Sequence, residues 1–322
     1  MTPSRSPQRL HKPLDAVLAI PQSLGFTPES SLVVVTLGPT RDIRLVARVD
    51  LAAMETPERW LDGLNRAIRS CGSRGSLILC AYATSDEEAS AIEALEALTS
   101  LVSQERRAIA HRIVVGDGHF RVLDSHDGSW HPVSELRLPR RVDLVDELVP
   151  ADDVDRDEVA AFVREVPSVA ADGRDVAIAH ALDALNAAGA SPRDVALLLV
   201  GLRDVRVRDT VLWDLMHQRP RTWPRAAESL GRAVRLAPTG HIAPAATLLS
   251  ILRWQVGDGT RAVIALERAL ETEPDYSLAH LIDAMIAGGM HPCIWREGLA
   301  DLSREACRGR EIPSGTGVSG RV

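Results

Sequence analysis

Aromatic side chains are scarce in this chain of 322 residues: Phe, Trp and Tyr together make up 3%. That excludes a protein that stacks bases or sugars along rows of aromatic platforms, and it leaves an aliphatic, alanine-rich core. Cysteine is also scarce. Cys71, Cys80, Cys293 and Cys307 stand far apart, none in Cys-x-x-Cys spacing, so zinc ribbons and dithiol redox motifs are excluded. No apolar run is long enough for a membrane span. Leu14 to Ile20 is short, carries Asp15 and meets Pro21, without a signal-peptide cleavage pattern. The expectation is a cytoplasmic protein with no membrane partner. Net positive charge is lacking too: the balance is −7, with a pI near 5.8, so no nucleic-acid partner is expected from long-range attraction. The basic cluster Arg137, Arg140 and Arg141 reads as a solvated loop. Neither a Lys-Ser/Thr P-loop, a Gly-x-Ser-x-Gly elbow nor a His-Glu-x-x-His helix occurs, so the sequence calls for no cofactor and no catalytic residue.

What the chain does have is a buried β-branched run. Leu24 to Ser30 form a turn-rich lead-in, and Ser31 to Leu37 follow as an almost unbroken apolar stretch, the signature of a strand covered on both faces. Gly38 to Asp42 is a turn cluster, and Ile43 to Val49 reads as a second strand paired with the first in a hairpin. Thr56-Pro57-Glu58 is a helix start with Thr56 as cap, opening a helix to Ser70 with Trp60, Leu61, Leu64 and Ile68 inward. A third strand, Ser76 to Ala83, leads to Thr84-Ser85-Asp86-Glu87-Glu88. These residues cap a helix that runs to about Gln104 with Ile92, Leu95, Leu98 and Val102 inward. Ala110 to Val115 meets the hairpin signal Gly116-Asp117-Gly118; His119 to Leu123 and Trp130 to Val133 follow. Strand–helix–strand units cross over right-handedly, so at least three strands are expected to run parallel.

Several of these stretches carry a resemblance. Gly25-Phe26-x-Pro28 with Ser31 to Val34, Arg44 to Asp50, Val207-Arg208-Asp209, Gly257-Asp258-Gly259 and Trp295-Arg296 follow in the order seen in an actinobacterial family. The chain resembles that family, domain of unknown function 4192, from about Leu14 to Arg296. The resemblance implies no activity.

After a boundary near Leu136 to Asp155 the chain reads as helix throughout. The expected architecture is an α/β domain with a mixed, partly parallel sheet over residues 13–148, an all-α, tetratricopeptide-like domain over 152–308, and disordered tails at 1–12 and 311–322. The repeat reading rests on Ala226, Leu230, Ala233 and Pro238, which recur as Ala262, Leu266, Ala269 and Pro274, each 36 residues on. Small Ala residues let helices approach closely, Leu fills the gap, and Pro ends the helix.

Two functional expectations follow. The first is an interaction protein that uses its helical surface, with Trp254, His280 and Asp283 lining a groove for a protein or peptide. The second is an enzyme or small-ligand-binding protein with a site at the carboxyl ends of the parallel strands. That site gathers Asp50, Tyr82, Thr84 and Ser85, the last two at a helix N-terminus, a position that favours anions. His111, His119, His126 and His131, interspersed with Asp117, Asp124 and Asp127, are residue types that bind metal. They read here as a polar meander, and no metal site is expected.

Overall fold

The computed structural model describes residues 9–309 apart from 73, 104–106, 126–127, 134–137, 151–153 and 188. The chain divides into two compact units. One is Met1–Leu144 with Ala284–His291, and the other is Val145–Asp283 with Pro292–Val322.

The first unit is built on β1 (Ser31–Leu37), every residue of which is buried. Alternation sends Val33, Val35 and Leu37 to one face and Leu32 and Val34 to the other. On the first face, helix α1 (Pro13–Leu24) packs Ala16, Val17 and Ile20 against these valines. Its C-cap is Gly25, in left-handed backbone (φ 80°), a conformation open to glycine. On the second face lie α2 (Leu61–Ser70) and α3 (Glu88–Val102), through Leu64 and Ile68 and through Ala91, Leu95, Leu98 and Val102. The sheet is therefore covered on both faces by helix, and its core is aliphatic on either side.

The six strands lie in the order β2 (Ile43–Asp50), β1, β3 (Ser76–Tyr82), β4 (Ala108–Gly116), β5 (His119–Val122) and β6 (Trp130–Pro132). β1 is antiparallel to both β2 and β3, β3 is parallel to β4, and β5 and β6 complete an antiparallel meander. The hairpin β1–β2 is as expected. Three strands run parallel as expected, β2, β3 and β4, but β1 lies between the first two, leaving β3–β4 as the one parallel pair of neighbours among the described residues.

Local readings changed in three places. Thr56 makes no side-chain cap; Pro57–Arg59 is a turn of 3₁₀ helix and α2 starts at Leu61. Trp60 instead donates its indole N–H to Ala53 O (2.9 Å). Ala91, not Ile92, is the first buried residue of α3. The lead-in expected to be disordered to Lys12 is ordered at its end: Arg9 bridges Asp42, and Leu10 is 1% exposed in the core under the sheet. Residues 1–8 and 310–322 lie outside the described residues.

The second unit is helical, from α5 (Val154–Glu165) onward; a short α4 (Arg141–Asp146) precedes it. α6 (Arg174–Asn186), α7 (Pro192–Arg203), α8 (Val205–His217) and α9 (Trp223–Leu236) pack on one another. α10 (Ile242–Gln255) lies between α9 and α11 (Gly259–Thr272). It is buried from Ile242 to Leu252 without a break, so it has no wet face and is the spine of this unit. The repeated residues Ala226, Leu230 and Ala233 of α9 and Ala262, Leu266 and Ala269 of α11 are all buried to 1% exposure or less. Pro238 and Pro274 follow their helices. α12 (Ser277–Ala287) does not lie against α11 as α10 does. α13 (Pro292–Ala300) approaches α10, and α14 (Arg304–Cys307) approaches α8. Among the described residues no helix is long and apolar enough to cross a membrane.

Glycine is required where backbones meet inside the first unit. A Cβ on Gly63 of α2 would lie 1.9 Å from Ala287 O, and one on Gly289 would lie 2.2 Å from Gly63 O. Arg66 seals this contact by donating to Gly288 O (2.6 Å). By contrast, a Cβ on Gly231 of α9 meets nothing within 4 Å. Gly63→Ala should therefore destabilise by about 1–3 kcal/mol through overpacking, while Gly231→Ala should stabilise by about 0.5–1 kcal/mol through helix entropy. Urea unfolding of the full chain checks both signs.

Candidate functional site

The parallel pair fixes where a site can form. β3 and β4 end together, with Tyr82 opposite Val115, and Ala83 N–H donates to Val115 O (3.0 Å) just beyond. Both strands then leave the sheet, β3 into the start of α3 and β4 into the hairpin tip Gly116-Asp117-Gly118. The two exits leave a cleft of about 320 Å³ lined by Ala83, Thr84, Ser85, Glu88, Val114, Gly116, Asp117, His119 and Trp130. A Cβ on Gly116 would lie 2.3 Å from Ala83 O, so the strand ends can close up only because this residue has no side chain.

The rim is polar and its groups are held. Asp117 and Gly118 both have positive φ (49° and 73°), as a two-residue type I′ hairpin turn requires. His119 Nδ1 bonds to Asp117 O (2.9 Å). A carbonyl only accepts, so Nδ1 donates in this contact. Glu88 Oε1 accepts from Arg121 (2.6 Å). The same guanidinium lies 5.2 Å from the centre of the Trp130 ring, which is 39% exposed.

At the start of α3, Glu87 reaches back over its own helix in a capping-box arrangement. Its carboxylate accepts from Thr84 N–H and Thr84 Oγ1 (3.1 Å each) and from Ser30 Oγ (2.8 and 3.0 Å). Ser30 has positive φ (40°), and its hydroxyl ties the lead-in of β1 to the cleft wall. The Thr84 backbone hydrogen bond first, and the Ser30 hydroxyl second, hold the Glu87 carboxyl below its ordinary value.

The residues expected at this site are not all brought together. Thr84 and Ser85 line the cleft. Tyr82 faces the other way, into the core beneath α1, 4% exposed. Burial holds its phenol well above the ordinary range, and its hydroxyl has no hydrogen-bond partner among the described residues. Asp50 lies at the same end of the sheet, across β1 from Tyr82 through Ser31. It pairs with Arg48, whose Nε donates to Ser31 Oγ (2.8 Å) and whose guanidinium lies over Phe26, and it does not line the cleft. Val114, Gly116, Asp117, His119, Glu88 and Trp130 were not expected there. The signal was available, since a hairpin that follows a parallel strand must turn at that strand's carboxyl end.

In the helical unit Trp254 is 6% exposed and packs 6.2 Å from Trp295, so it lines no groove. His280 and Asp283 are exposed on α12, and His280 Nε2 bonds to Pro274 O (2.6 Å). A smaller cleft of about 210 Å³ lies between α6, α7 and α9. Its Arg232 is engaged with Asp155 and Ala190 O, and its Ser229 with Leu185 O; these groups cap the end of α6 and its loop. Arg208 is not solvated: it pairs with Asp209 and donates to Tyr276 OH (2.8 Å). His217 stacks on Trp213, and His180 stands exposed elsewhere.

The histidines of the meander do not converge. His111 is part-buried, which lowers its pKa; His131 packs on Phe120; Asp124 is held by Arg112 (2.9 and 2.6 Å). His126 and Asp127 lie outside the described residues. Among the described residues no group of His, Cys, Asp and Glu has metal-binding geometry.

Glu87 gives a test of the cap. A carboxyl with a depressed folded-state pKa contributes stability that is full above its ordinary value of 4.5 and lost as pH falls through the folded value. Wild type should lose stability over that window more steeply than Glu87→Gln, as read from thermal unfolding at stepped pH. Equal slopes would remove Glu87 from the cap.

No curated protein and no solved structure matches the chain. One family model, described as Domain of unknown function (DUF4192), matches residues 13–138 and 129–293. It spans both the sheet that forms the cleft and most of the helical unit, and the chain belongs to this family.

Proposed function

We propose that the protein binds a small ligand in the cleft at the carboxyl ends of β3 and β4. The observation that carries this reading is the coincidence of that cleft with the end of the parallel pair, the place where open α/β sheets offer loops and helix starts to a ligand. Support comes from the fixed rim. The Asp117-Gly118 turn and the Ser30–Glu87–Thr84 hydrogen bonds fix this end of the sheet before any ligand arrives. Binding is the activity proposed, with no reaction assigned.

The helical unit carries a second, weaker reading as a surface for a protein or peptide. Its support is Leu281, 53% exposed on α12 beside His280 and Asp283. The repeated Ala and Leu positions, the basis of the tetratricopeptide-like comparison, are spent on packing around α10 and offer nothing outward.

A ligand-observed NMR screen of a fragment library against the full chain tests the first reading. Hits should lose binding in Ser85→Trp, which fills the cleft from its rim, and keep it in Val176→Trp, at a residue 59% exposed on α6. A screen without hits, or hits that bind Ser85→Trp equally, would overturn it.

A further inference from the structure

The lining of the cleft selects a ligand chemistry, an inference that rests on the cleft being a binding site. Two of its lining residues, Glu88 and Asp117, are carboxylates, which only accept when ionised. Asp117 stands exposed at the hairpin tip. Glu88 gives Oε1 to Arg121 and also lines the cleft. His119 also lines the cleft, with Nδ1 engaged at Asp117 O. Glu88 and Asp117 contribute two negative charges and Arg121 one positive, which leaves −1 from these three side chains.

The helix start does not reverse that sign. An N-terminus carries roughly half a positive charge, but Asp86 and Glu87 occupy the first turn and Glu88 follows. Thr84 N–H, which an anion would use, is already donated to Glu87. The ring at the cleft already carries a cation: Arg121 holds its guanidinium 5.2 Å from the Trp130 ring centre while pairing with Glu88, so Trp130 offers a ligand apolar surface rather than a place for its charge.

We propose that the cleft takes a small organic cation, an ammonium or guanidinium on a short apolar chain, with its charge at Asp117 and its chain over Ala83, Val114 and Trp130. The acceptors hold the charged head, and the ring and the two aliphatic side chains cover the chain.

Calorimetric titration of the full chain with agmatine tests this, with glucose and inorganic phosphate as neutral and anionic probes. Agmatine should bind, more weakly as salt rises. Asp117→Asn should raise its Kd about tenfold or more, about 1.4 kcal/mol. Asn tolerates left-handed backbone, so the hairpin survives this change. Absence of agmatine binding, or equal binding to Asp117→Asn, overturns the cation. Glucose or phosphate bound in place of agmatine does the same. If fragment hits still depend on Ser85, only the ligand class has failed; if neither agmatine nor any fragment depends on Ser85, the site itself has failed.

Discussion

The first unit depends on the complete burial of β1. All its residues are inside, so its ladder groups must be satisfied on both edges and its side chains on both faces. β2 and β3 meet the first demand, each antiparallel to it; α1 meets the second on one face, and α2 with α3 on the other. With β1 filling the gap between β2 and β3, the chain can reach a parallel neighbour only on the far side of β3. That neighbour is β4, and the end of the β3–β4 pair is where the cleft opens. The site is thus a consequence of the strand order more than of any motif.

Much of this order was legible. The apolar run at Ser31–Leu37, the Gly116-Asp117-Gly118 turn and the acidic helix start at Thr84–Glu88 each have a local physical cause, and each is found where that cause puts it. Val46, which breaks simple alternation in β2, has its reason in the fold: Leu45 and Ala47 pack toward α2 and α3, while Val46 packs on the opposite core.

What was not legible is the choice between equivalent faces. β3 is apolar on both sides, with Ile78, Cys80 and Tyr82 on one and Leu77, Leu79, Ala81 and Ala83 on the other. Period-2 alternation says these sets are opposed; it does not say which one the next helix covers. Tyr82 was therefore assigned to the ligand end when it belongs to the core beneath α1, and Ala83 is the residue that lines the cleft. The same holds for Trp254. A helix buried all round presents no amphipathic stripe, so its aromatic residue could be placed on a groove or in a core with equal right from sequence, and α10 puts it in the core.

The start of α3 shows how a general rule yields to particular side chains. Helix N-termini attract anions because their first amides lack partners. Here the chain supplies its own anion. Glu87 takes the Thr84 amide and hydroxyl and then the Ser30 hydroxyl, joining the helix start to the entry of β1. The carboxylate that would compete with a ligand for the helix end is thereby built into the scaffold. Glu88, one residue later, is turned instead toward Arg121 and the cleft. Two adjacent acids thus divide the work: one neutralises the helix and fixes the strand it must pack on, and the other holds Arg121 at the cleft.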